Sequence, residues 1–552
     1  MDDRYQVIIV GGGPVGLALA VELGQRNVSC AVVERHQTPV RIPKGQGLTN
    51  RSLEHFYFWH CVDELRAARV MPPGYPIGGI TAYGNLMSPY WYRPVGGIAR
   101  GPQVEEFFYQ RNERLPQYCT EAVLRQRLAA LPSVSTRFGW LAEYVEQDDD
   151  GVRVRITPAG ADAFYSWSAD TAPQRNRTPA PDPSEAQTLE GDYLVGCDGG
   201  RSLVRESLGI DRGGRSFDQR MVLAVLRSKE LHEGLKRFPE GTTYRVLKPE
   251  LHGFWQFFGR IDVGEGFFFH APVPAGTRPD NFDFHALVQE AAGFPFAAEF
   301  EHVGFWDLRV MVAGRYQQGR ICIAGDAAHQ HPPYGGFGLN TGLEDAANLG
   351  WKLAARVQGW GGAALLGSYG EERRPIFAET GEAVIAGGID RDRAFLERYR
   401  PEQDRAEFEQ AWAALATHGN RPQTYEPHYE GSSVVLGPEG GVTTIYGQHR
   451  HAAQAGHHLS PRLLADGRNV YEALGQDFTL LAFAADAEAA AIERAAGSLG
   501  IPLTVVRDRY DGDVRRYAAK LVLVRPDQYV VWAGDEAPPD PAALLRKVTG
   551  RS

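Results

Sequence analysis

The hydrophobic pattern at the start of the chain predicts a nucleotide-binding β-α-β unit. An apolar strand at Gln6 to Val10 leads into a glycine-rich turn, an amphipathic helix and a second apolar strand that ends at Glu34. Segments of the same kind recur at 193–205 (YLVGCDGGRSLVR) and at 320–356, which opens RICIAGDAAH. We therefore predict one α/β domain that is assembled from separated stretches of chain.

Between these segments the pattern changes to short, aromatic-rich stretches with a period of two. They lie at 242–247, 251–260 and 266–272, and they predict strands of an antiparallel sheet. We interpret this sheet as an inserted substrate domain. Residues 172–188 are rich in Pro, Ser and Thr, which predicts a loop within a hairpin insert.

A third pattern occupies the end of the chain. A helical region runs from Arg374 to about Ala416, the composition turns Gly-rich near Tyr425, and a strand, helix, strand, hairpin and final helix at 540–549 follow. We predict a separate C-terminal α/β domain. The predicted boundaries are 1–75, 112–205 and 310–400 for the nucleotide-binding domain, 76–111 and 206–309 for the substrate domain, 401–424 for a helical linker and 425–552 for the last domain.

Composition narrows the class of protein. The 552 residues are 43% hydrophobic and 23% charged, as in soluble enzymes, and the net charge of -10 gives no reason to expect a nucleic-acid or anionic-membrane partner. The N-terminus has no basic segment followed by a cleavable apolar stretch, and no apolar run of about 18 residues occurs, so we expect a cytoplasmic protein. The scattered cysteines suggest buried thiols in a reducing compartment and no metal cluster: Cys30, Cys61, Cys119, Cys197 and Cys322.

The glycine turn after the first strand has the spacing GxGxxG. Gly11 allows the tight turn, Gly13 lets a pyrophosphate approach the backbone, and Gly16 lets the helix pack on the strand. Glu34, about twenty residues on, is placed to accept hydrogen bonds from ribose hydroxyls. This fingerprint alone does not separate NAD from FAD. The candidate contacts here are Gly11, Gly13, Pro14, Val15, Gly16 and Glu34.

The segment around Gly325 and Asp326 favours FAD. A carboxylate and a run of backbone N–H groups fall together at a helix start. A flavin ring requires such donors where reduction leaves negative charge, and Asp326 would accept a hydrogen bond from a ribityl hydroxyl. The alternative is that Asp326 only caps a helix. Nothing indicates a covalent attachment site, so we expect FAD to be bound non-covalently.

Three motifs together resemble those of the single-component (class A) FAD-dependent aromatic hydroxylases of the para-hydroxybenzoate hydroxylase type. They are GGGPVGLALA, CDGGRSLVR and AGDAAHQHPP with GGFGLNTG, and the resemblance covers about 1–400. It implies a Rossmann-like FAD-binding domain with an inserted antiparallel-sheet substrate domain. It also implies a monooxygenase in which NAD(P)H reduces FAD and a flavin C4a-hydroperoxide, formed with O₂, hydroxylates a small aromatic, typically phenolic, substrate.

The resemblance also implies roles for residues outside the first fingerprint. Pro333 would lie beside the reactive face of the flavin, and Leu339 and Asn340 would supply backbone N–H groups. Asp198 belongs to the motif that serves both FAD and nicotinamide. Phe337 departs from the pattern, because relatives commonly have Gln there. The remaining candidate cofactor contacts are Arg35, Lys44, Gln117, Arg125, Gly325, Gly335 and Gly338.

The C-terminal region resembles the thioredoxin-like tail of phenol hydroxylase and of polyketide and phenylpropionate hydroxylases, most clearly at RPDQYVVWAG. No cysteine follows Cys322, so the tail has no CxxC and cannot perform thiol-disulfide chemistry. We expect it to stabilise packing or a homodimer. The loop histidines have no Cys or acid beside them in sequence, and we interpret them as solvated, with no metal site: His449, His451, His457 and His458.

Candidates for the substrate pocket are fewer. Gln46 stands where simple phenol hydroxylases have an aspartate, and Gln donates a hydrogen bond but cannot act as a base. His252, Trp255 and Gln256 share one predicted strand, and of these only His252 could transfer a proton near neutral pH; the alternative is a solvated strand end. The candidate catalytic residues are thus His252, Gln46 and Pro333.

Other functions of the same fold stay open from the residues alone. A flavin-dependent dehydrogenase or reductase would keep all three motifs, and a non-catalytic flavin-binding protein would fit a tail without cysteines. Halogenation is disfavoured, because the halogenase segment WxWxIP is missing and YWYR at 90–93 lacks its spacing. The identity of the substrate and the choice between NADH and NADPH are not determined by the sequence.

Overall fold

The computed structural model describes residues 4–94, 102–159, 185–418, 425–483, 486–509 and 517–551. Most of the predicted loop at 172–188 and the end of the predicted linker at 401–424 lie outside these ranges. Within the described residues, no helix combines the length and the apolar character that crossing a membrane requires.

The nucleotide-binding sheet has eight strands, and the neighbours of its first strand, Arg4–Val10, pair with it in parallel. The strands at its centre are continuous apolar runs because helices cover both faces. Its order is typical of a Rossmann-like sheet, which confirms the predicted fold class. The other strands are Cys30–Glu34, Val134–Phe138, Trp140–Gln147, Val152–Pro158, Gln187–Gly196, Gln317–Gln318 and Ile321–Ile323.

Two helices carry the nucleotide side of this sheet. Pro14–Gly24 follows the glycine turn, with Pro14 in the first helical turn, where a missing N–H costs nothing. It packs against Phe337–Val357, the long helix that follows the third motif. The surrounding helices are Asn50–Phe58, Val62–Ala67, Pro102–Glu105, Gln117–Leu128, Leu203–Ser207, Ala363–Glu379, Gly387–Arg398 and Arg405–His418, with a π-helical turn at Thr380–Ala386.

The inserted domain is a second eight-stranded, largely antiparallel sheet. Alternation along Arg212–Arg227 sends Val222 and Ala224 into a core that helices Lys229–Gly234 and Phe284–Ala292 cover. Met221 belongs instead to the core on the opposite face, which also holds Phe337 of the nucleotide-binding domain. The other strands are Gly79–Tyr83, Trp91–Tyr92, Thr243–Leu247, Gln256–Arg260, Gly266–Val273, Glu299–Ala313 and His329–Gln330.

The predicted strand at 251–260 is wrong in its first half. A 3-10 turn occupies Pro249–Leu251, and His252 and Gly253 have φ values of 51° and 83°. This left-handed backbone cannot continue a β-ladder, so the strand begins at Gln256.

The C-terminal domain has a four-stranded sheet with two helices, Asp486–Leu499 and Pro541–Val548. One parallel pair precedes an antiparallel hairpin, which confirms the thioredoxin-like fold. Its strands are Phe478–Ala482, Leu503–Arg507, Leu521–Val524 and Val530–Gly534. Helix Val470–Ala473 and the paired strands His428–Tyr429 and Thr443–Thr444 precede this sheet. A further short pair, Gly47–Leu48 with Glu113–Arg114, lies in the N-terminal part of the chain.

A buried ionic network joins this domain to the nucleotide-binding domain. Both carboxylate oxygens of Glu372 accept hydrogen bonds from Arg525, at 2.8 and 2.7 Å, and Lys352 Nζ donates to Glu372 at 2.7 Å. Arg525 also donates to Asp527. These side chains are fully or almost fully buried. Burial lowers the pKa of Lys352 to about 8, in opposition to the attraction of Glu372. Since breaking such a pair leaves a buried charge, the network fixes the tail in place.

Candidate functional site

Of the three glycines in the GxGxxG turn, only Gly13 has open space beside it. A Cβ at Gly11, whose φ is 108°, would lie 2.2 Å from the carbonyl oxygen of Cys197, and a Cβ at Gly16 would lie 1.9 Å from that of Gly11. A Cβ at Gly13 would meet no atom within 4 Å. Gly13 is the N-cap of helix Pro14–Gly24 and provides no side-chain cap. Val15 packs behind this turn, against Gly325. The helix start therefore suits a phosphate.

The carboxylate that ends the second strand is oriented by the backbone. Glu34 accepts hydrogen bonds from the N–H groups of Gly12, at 2.7 Å, and His36, at 2.8 Å. Arg125 donates to the carbonyl oxygen of Gln37 at 2.7 Å and stacks over the ring of Phe138. Arg35 follows Glu34 on the exposed surface. Thus Glu34, Arg35 and Arg125 come together where the adenosine end of a dinucleotide would lie.

A second group surrounds Gly45. A Cβ at Gly45 would lie 3.1 Å from Leu339 Cδ2 and 3.3 Å from Gln117 Oε1. Gln117 donates a hydrogen bond to Glu121 at 2.8 Å. Burial raises the pKa of Glu121 and of Asp326, and the positive charge of the exposed Lys44 opposes both shifts. The structure thus brings three separated segments to one place.

The Asp-Gly segment is tied to the Gly-Asp segment. Asp198 accepts hydrogen bonds from Ser202 Oγ and from the N–H of Val204, so its carboxylate holds the start of the helix that follows. Arg205 donates to the carbonyl oxygen of Ala327 at 3.1 Å. Burial raises the pKa of Asp198, against these hydrogen bonds. The sequence did not distinguish this positioning role from a direct cofactor contact.

The buried carboxylate of Asp345 holds the Gly-Asp segment in place through three hydrogen bonds. It accepts hydrogen bonds from the N–H of Gly325 at 3.1 Å, from His329 Nε2 at 2.6 Å and from Arg373 Nε at 2.8 Å. Burial would raise the pKa of Asp345, but the charges of His329 and Arg373 outweigh it and the pKa is lowered. Asp326, the next residue after Gly325, keeps solvent-accessible surface although the surrounding protein desolvates its carboxylate, so a ligand can reach it.

The loop after Pro333 ends in a helix start with no side-chain cap. Gly335 and Gly336 have φ values of 77° and 70°, which bring the chain into helix Phe337–Val357. Asn340 is occupied: its Nδ2 donates to the carbonyl oxygens of Gly47 and Gly336, and its Oδ1 accepts from Thr49 and Ser52. The first turn of this helix has no side-chain cap, so its backbone N–H groups, those of the predicted donors Leu339 and Asn340 among them, are left for a ligand such as a flavin ring.

Five rings run from the substrate sheet to this loop; we call them the aromatic ladder. Tyr334 directly follows Pro333 and stacks on Trp255, with ring centroids 4.1 Å apart. The hydroxyl group of Tyr334 accepts a hydrogen bond from the backbone N–H of Trp255. Phe257 contacts Tyr334 edge-on and stacks on His270 at 4.9 Å. Trp306 Nε1 donates to His270 Nδ1 at 3.3 Å. The ladder is a continuous aromatic wall beside the flavin loop.

Buried nitrogens without a hydrogen-bond partner near these segments include Gln46 Nε2, His270 Nε2, His329 Nδ1 and His331 Nε2. Burial lowers the pKa of His270 to about 3 and that of His331 to about 4. Such unpaired nitrogens are available to hydrogen-bond a polar ligand. The sequence analysis did not single out Tyr334, His270 or His331. The segments HQHPPY, which contains His331 and Tyr334, and FFFHAP, which contains His270, could have indicated them.

The structure separates two other candidates from the ladder. His252 is exposed in its left-handed turn, and its carbonyl oxygen accepts a hydrogen bond from Arg393. Side chains alternate along this strand, so Gln256 shares a face of the substrate sheet with Phe258. Phe257 and the ladder lie on the opposite face. This strand and the turn before it therefore contribute Trp255 and Phe257, and not His252 or Gln256, to the aromatic ladder.

The interpretation of the loop histidines as solvated and without acids is wrong for three of them. His457 lies between Glu426 and Glu430, each at 3.0 Å. His458 contacts Glu54 at 2.8 Å, and His451 contacts Glu106 at 3.3 Å. These acids come from other segments of the chain, so sequence proximity could not reveal them.

Family comparisons agree with this geometry. Residues 4–383 match the model of the FAD binding domain, and residues 453–552 match that of the aromatic-ring hydroxylase C-terminal domain. The chain belongs to the FAD-dependent aromatic-ring hydroxylases. It is an FAD-dependent aromatic monooxygenase with NAD(P)H as co-substrate, as predicted. The open space at Gly13, the accessible Asp326 and the uncapped starts of helices Pro14–Gly24 and Phe337–Val357 fit the cofactor.

Relatives of full length share this class. The chain is 31% identical to 4-methyl-5-nitrocatechol 5-monooxygenase of Burkholderia sp, over 99% of this chain and 96% of the relative. It is 29% identical to rifampicin monooxygenase of Streptomyces venezuelae, with 96% of each chain covered. Among solved structures, the rebeccamycin biosynthetic enzyme RebC with reduced flavin is 29% identical, with a TM-score of 0.79 over 100% of this chain and 99% of that one.

Asp326 offers a direct test of the flavin site. Asp326→Ala should remove a charge-assisted hydrogen bond to the cofactor, worth about 1.5–3 kcal/mol, and so weaken FAD binding by roughly ten- to a hundredfold. Titration of the apoprotein with FAD, followed by flavin fluorescence, measures the change. Asp280→Ala, which removes a carboxylate whose side chain is 77% exposed, is the control and should bind FAD normally. Equal affinities for both variants would refute the assignment.

Proposed function

We propose that the enzyme hydroxylates a planar, electron-rich phenol that binds against the aromatic ladder at the reactive face of FAD. The observation that carries this proposal is the stacking of Tyr334 on Trp255 immediately after Pro333. A wall of rings that begins at the flavin loop suits a flat ring, since offset and edge-on aromatic contacts add about 0.5–1.5 kcal/mol each.

The candidate cofactor residues would hold FAD in an extended arrangement. The start of helix Pro14–Gly24 would take the pyrophosphate, Glu34 and Arg125 the adenosine end, and Asp326 the ribityl chain. The first turn of helix Phe337–Val357 would donate to the ring. When bound, FAD accepts a hydride from NAD(P)H and transfers one oxygen atom from O₂ to the substrate.

Gln46, His270 and His331 would position the substrate without removing its proton. Gln46 has no basic form, and the pKa values of about 3 and 4 make His270 and His331 neutral and weakly basic at neutral pH. Their unpaired nitrogens can orient a hydroxyl or carbonyl group. We therefore propose a phenol acidic enough to bind as the phenolate, a class to which the nitrocatechol in the name of one relative belongs.

The free thiols support a finer proposal about location. None of the five cysteines forms a disulfide, and Cys30, Cys61 and Cys322 are buried. This state suits the reducing cytoplasm, where NAD(P)H is available as the electron donor.

A screen of phenols tests the proposed reaction. Substrates should stimulate NAD(P)H oxidation and yield a product whose mass increases by one oxygen atom. Trp255→Leu should raise KM by roughly two- to tenfold through lost ring contacts, whereas Tyr144→Leu, which removes a ring that is 55% exposed, should leave KM unchanged. Stimulated NAD(P)H oxidation with an oxidised but never oxygenated product would indicate a dehydrogenase instead.

The pH dependence distinguishes substrate ionisation from an enzymatic base. With a phenolate as the bound form, kcat/KM should rise with pH as the substrate ionises, and the midpoint should differ between two phenols of unequal acidity. His270 and His331 should add no inflection near neutrality, since both are already neutral there. A midpoint common to both phenols would show that a group on the protein removes the proton.

A further inference from the structure

A second cluster of titratable side chains lies in the segment that precedes the thioredoxin-like sheet. It consists of Glu426, His428, Glu430 and His457, and we call it the Glu–His cluster. The two imidazole rings stack almost parallel, with centroids 4.3 Å apart and planes at 10°. Glu426 and His428 are buried, at 3% and 5% exposure. Such burial separates this cluster from the exposed acidic groups that are common on protein surfaces.

The two carboxylates face opposite edges of the stacked rings. Glu426 lies 3.0 Å from His457 Nδ1 and 3.4 Å from His428 Nδ1. Glu430 lies 3.0 Å from His457 Nε2 and 4.0 Å from His428 Nε2. The carbonyl oxygen of Glu426 is a further oxygen, 3.0 Å from His428 Nδ1. Three of the four ring nitrogens thus lie within 3.4 Å of an oxygen atom, and the fourth, His428 Nε2, lies 4.0 Å from Glu430.

The cluster requires positive charge. Its two carboxylates bring two negative charges into a largely buried space, which is costly unless opposite charge compensates them. A divalent cation on one edge would supply both charges in place of protons on the two rings, and it would use the ring lone pairs as ligands.

We propose that the Glu–His cluster binds a divalent transition-metal ion of the zinc class. Glu426, His428 and His457 would each supply one ligand, as these side chains offer ligand atoms that all lie within 4.8 Å of one another. A tetrahedral ion with bonds near 2.0–2.1 Å separates its ligands by about 3.4 Å, so the widest pair must move closer on binding. Mixed imidazole and carboxylate ligands suit zinc and its neighbours.

Glu430 then has a distinct part in the site. If the ion binds at the Nδ1 edge, beside Glu426, the Nε2–H groups of both rings are directed at Glu430. A carboxylate that accepts a hydrogen bond from a metal-bound imidazole fixes its tautomer and strengthens it as a ligand. Gln454 also donates a hydrogen bond to Glu430 and holds it from outside.

A small cleft borders the cluster. It has a volume of about 10 Å³ and is lined by Glu426 and His457 together with His449, Gln454 and Ser460. This is room for about one water molecule or ion, which would suit the fourth position. The N–H of Tyr429 donates to the carbonyl oxygen of Gly456, so an ion here would strengthen an existing link between two segments of the chain and would have a structural role.

Metal analysis of the FAD-loaded, full-length enzyme tests the proposal. After chelator treatment and dialysis at neutral pH, the enzyme should bind one Zn²⁺ per chain, and Co²⁺ should give the visible absorption of a tetrahedral site. His457→Gln and Glu426→Gln should abolish stoichiometric binding. Glu430→Gln should weaken it by roughly ten- to a hundredfold. His451→Gln, whose ring contacts Glu106 outside the cluster, is the matched control and should bind normally.

Thermal melting supplies a second readout that a misfolded variant cannot imitate. Added Zn²⁺ should raise the melting temperature of the wild type and of His451→Gln, but not that of His457→Gln, with FAD content showing that each variant is folded. The proposal is overturned if the chelator-treated wild type takes up no stoichiometric Zn²⁺ when the ion is added back, or if folded His457→Gln and Glu426→Gln bind it as tightly as the wild type does.

Discussion

The buried carboxylate of Asp345 is the constraint on which the flavin site depends. It lies on helix Phe337–Val357 and accepts hydrogen bonds from the backbone of Gly325, from His329 and from Arg373. Hydrogen bonds to a charged group in a dry interior are strong, and losing one leaves a costly unpaired charge. Asp345 therefore fixes the Gly-Asp segment to the helix whose first turn would donate hydrogen bonds to the flavin ring.

The same anchor reaches the substrate side and the C-terminal domain. The segment that Asp345 holds continues through Pro333 to Tyr334, which begins the aromatic ladder. In the other direction, Arg373 donates to Tyr429 Oη, and its neighbour Glu372 binds Arg525 of the thioredoxin-like domain. A tail without a CxxC pair thus contributes through buried ionic contacts, and it packs directly behind the helices that carry the cofactor site.

The sequence predicts those parts of this arrangement that depend on local chemistry. The GxGxxG turn and the Gly-Asp segment are recognisable because the approach of a phosphate or a flavin ring restricts consecutive residues. The ladder is not recognisable in this way. Phe257 and His270 become neighbours only through strand register, and Tyr334 reaches Trp255 from another domain. Likewise, His457 acquires its carboxylates from residues about thirty positions away.

The affinity of Asp345→Asn for FAD tests this account most directly. The substitution keeps the shape of the side chain but removes the charge that holds His329 and Arg373, a loss of about 1.5–3 kcal/mol for each charged hydrogen bond. Circular dichroism establishes that the variant is folded, and flavin fluorescence gives the dissociation constant. We expect FAD to bind at least roughly tenfold more weakly than to the wild type. A folded variant that binds FAD with unchanged affinity would contradict the central role of this carboxylate.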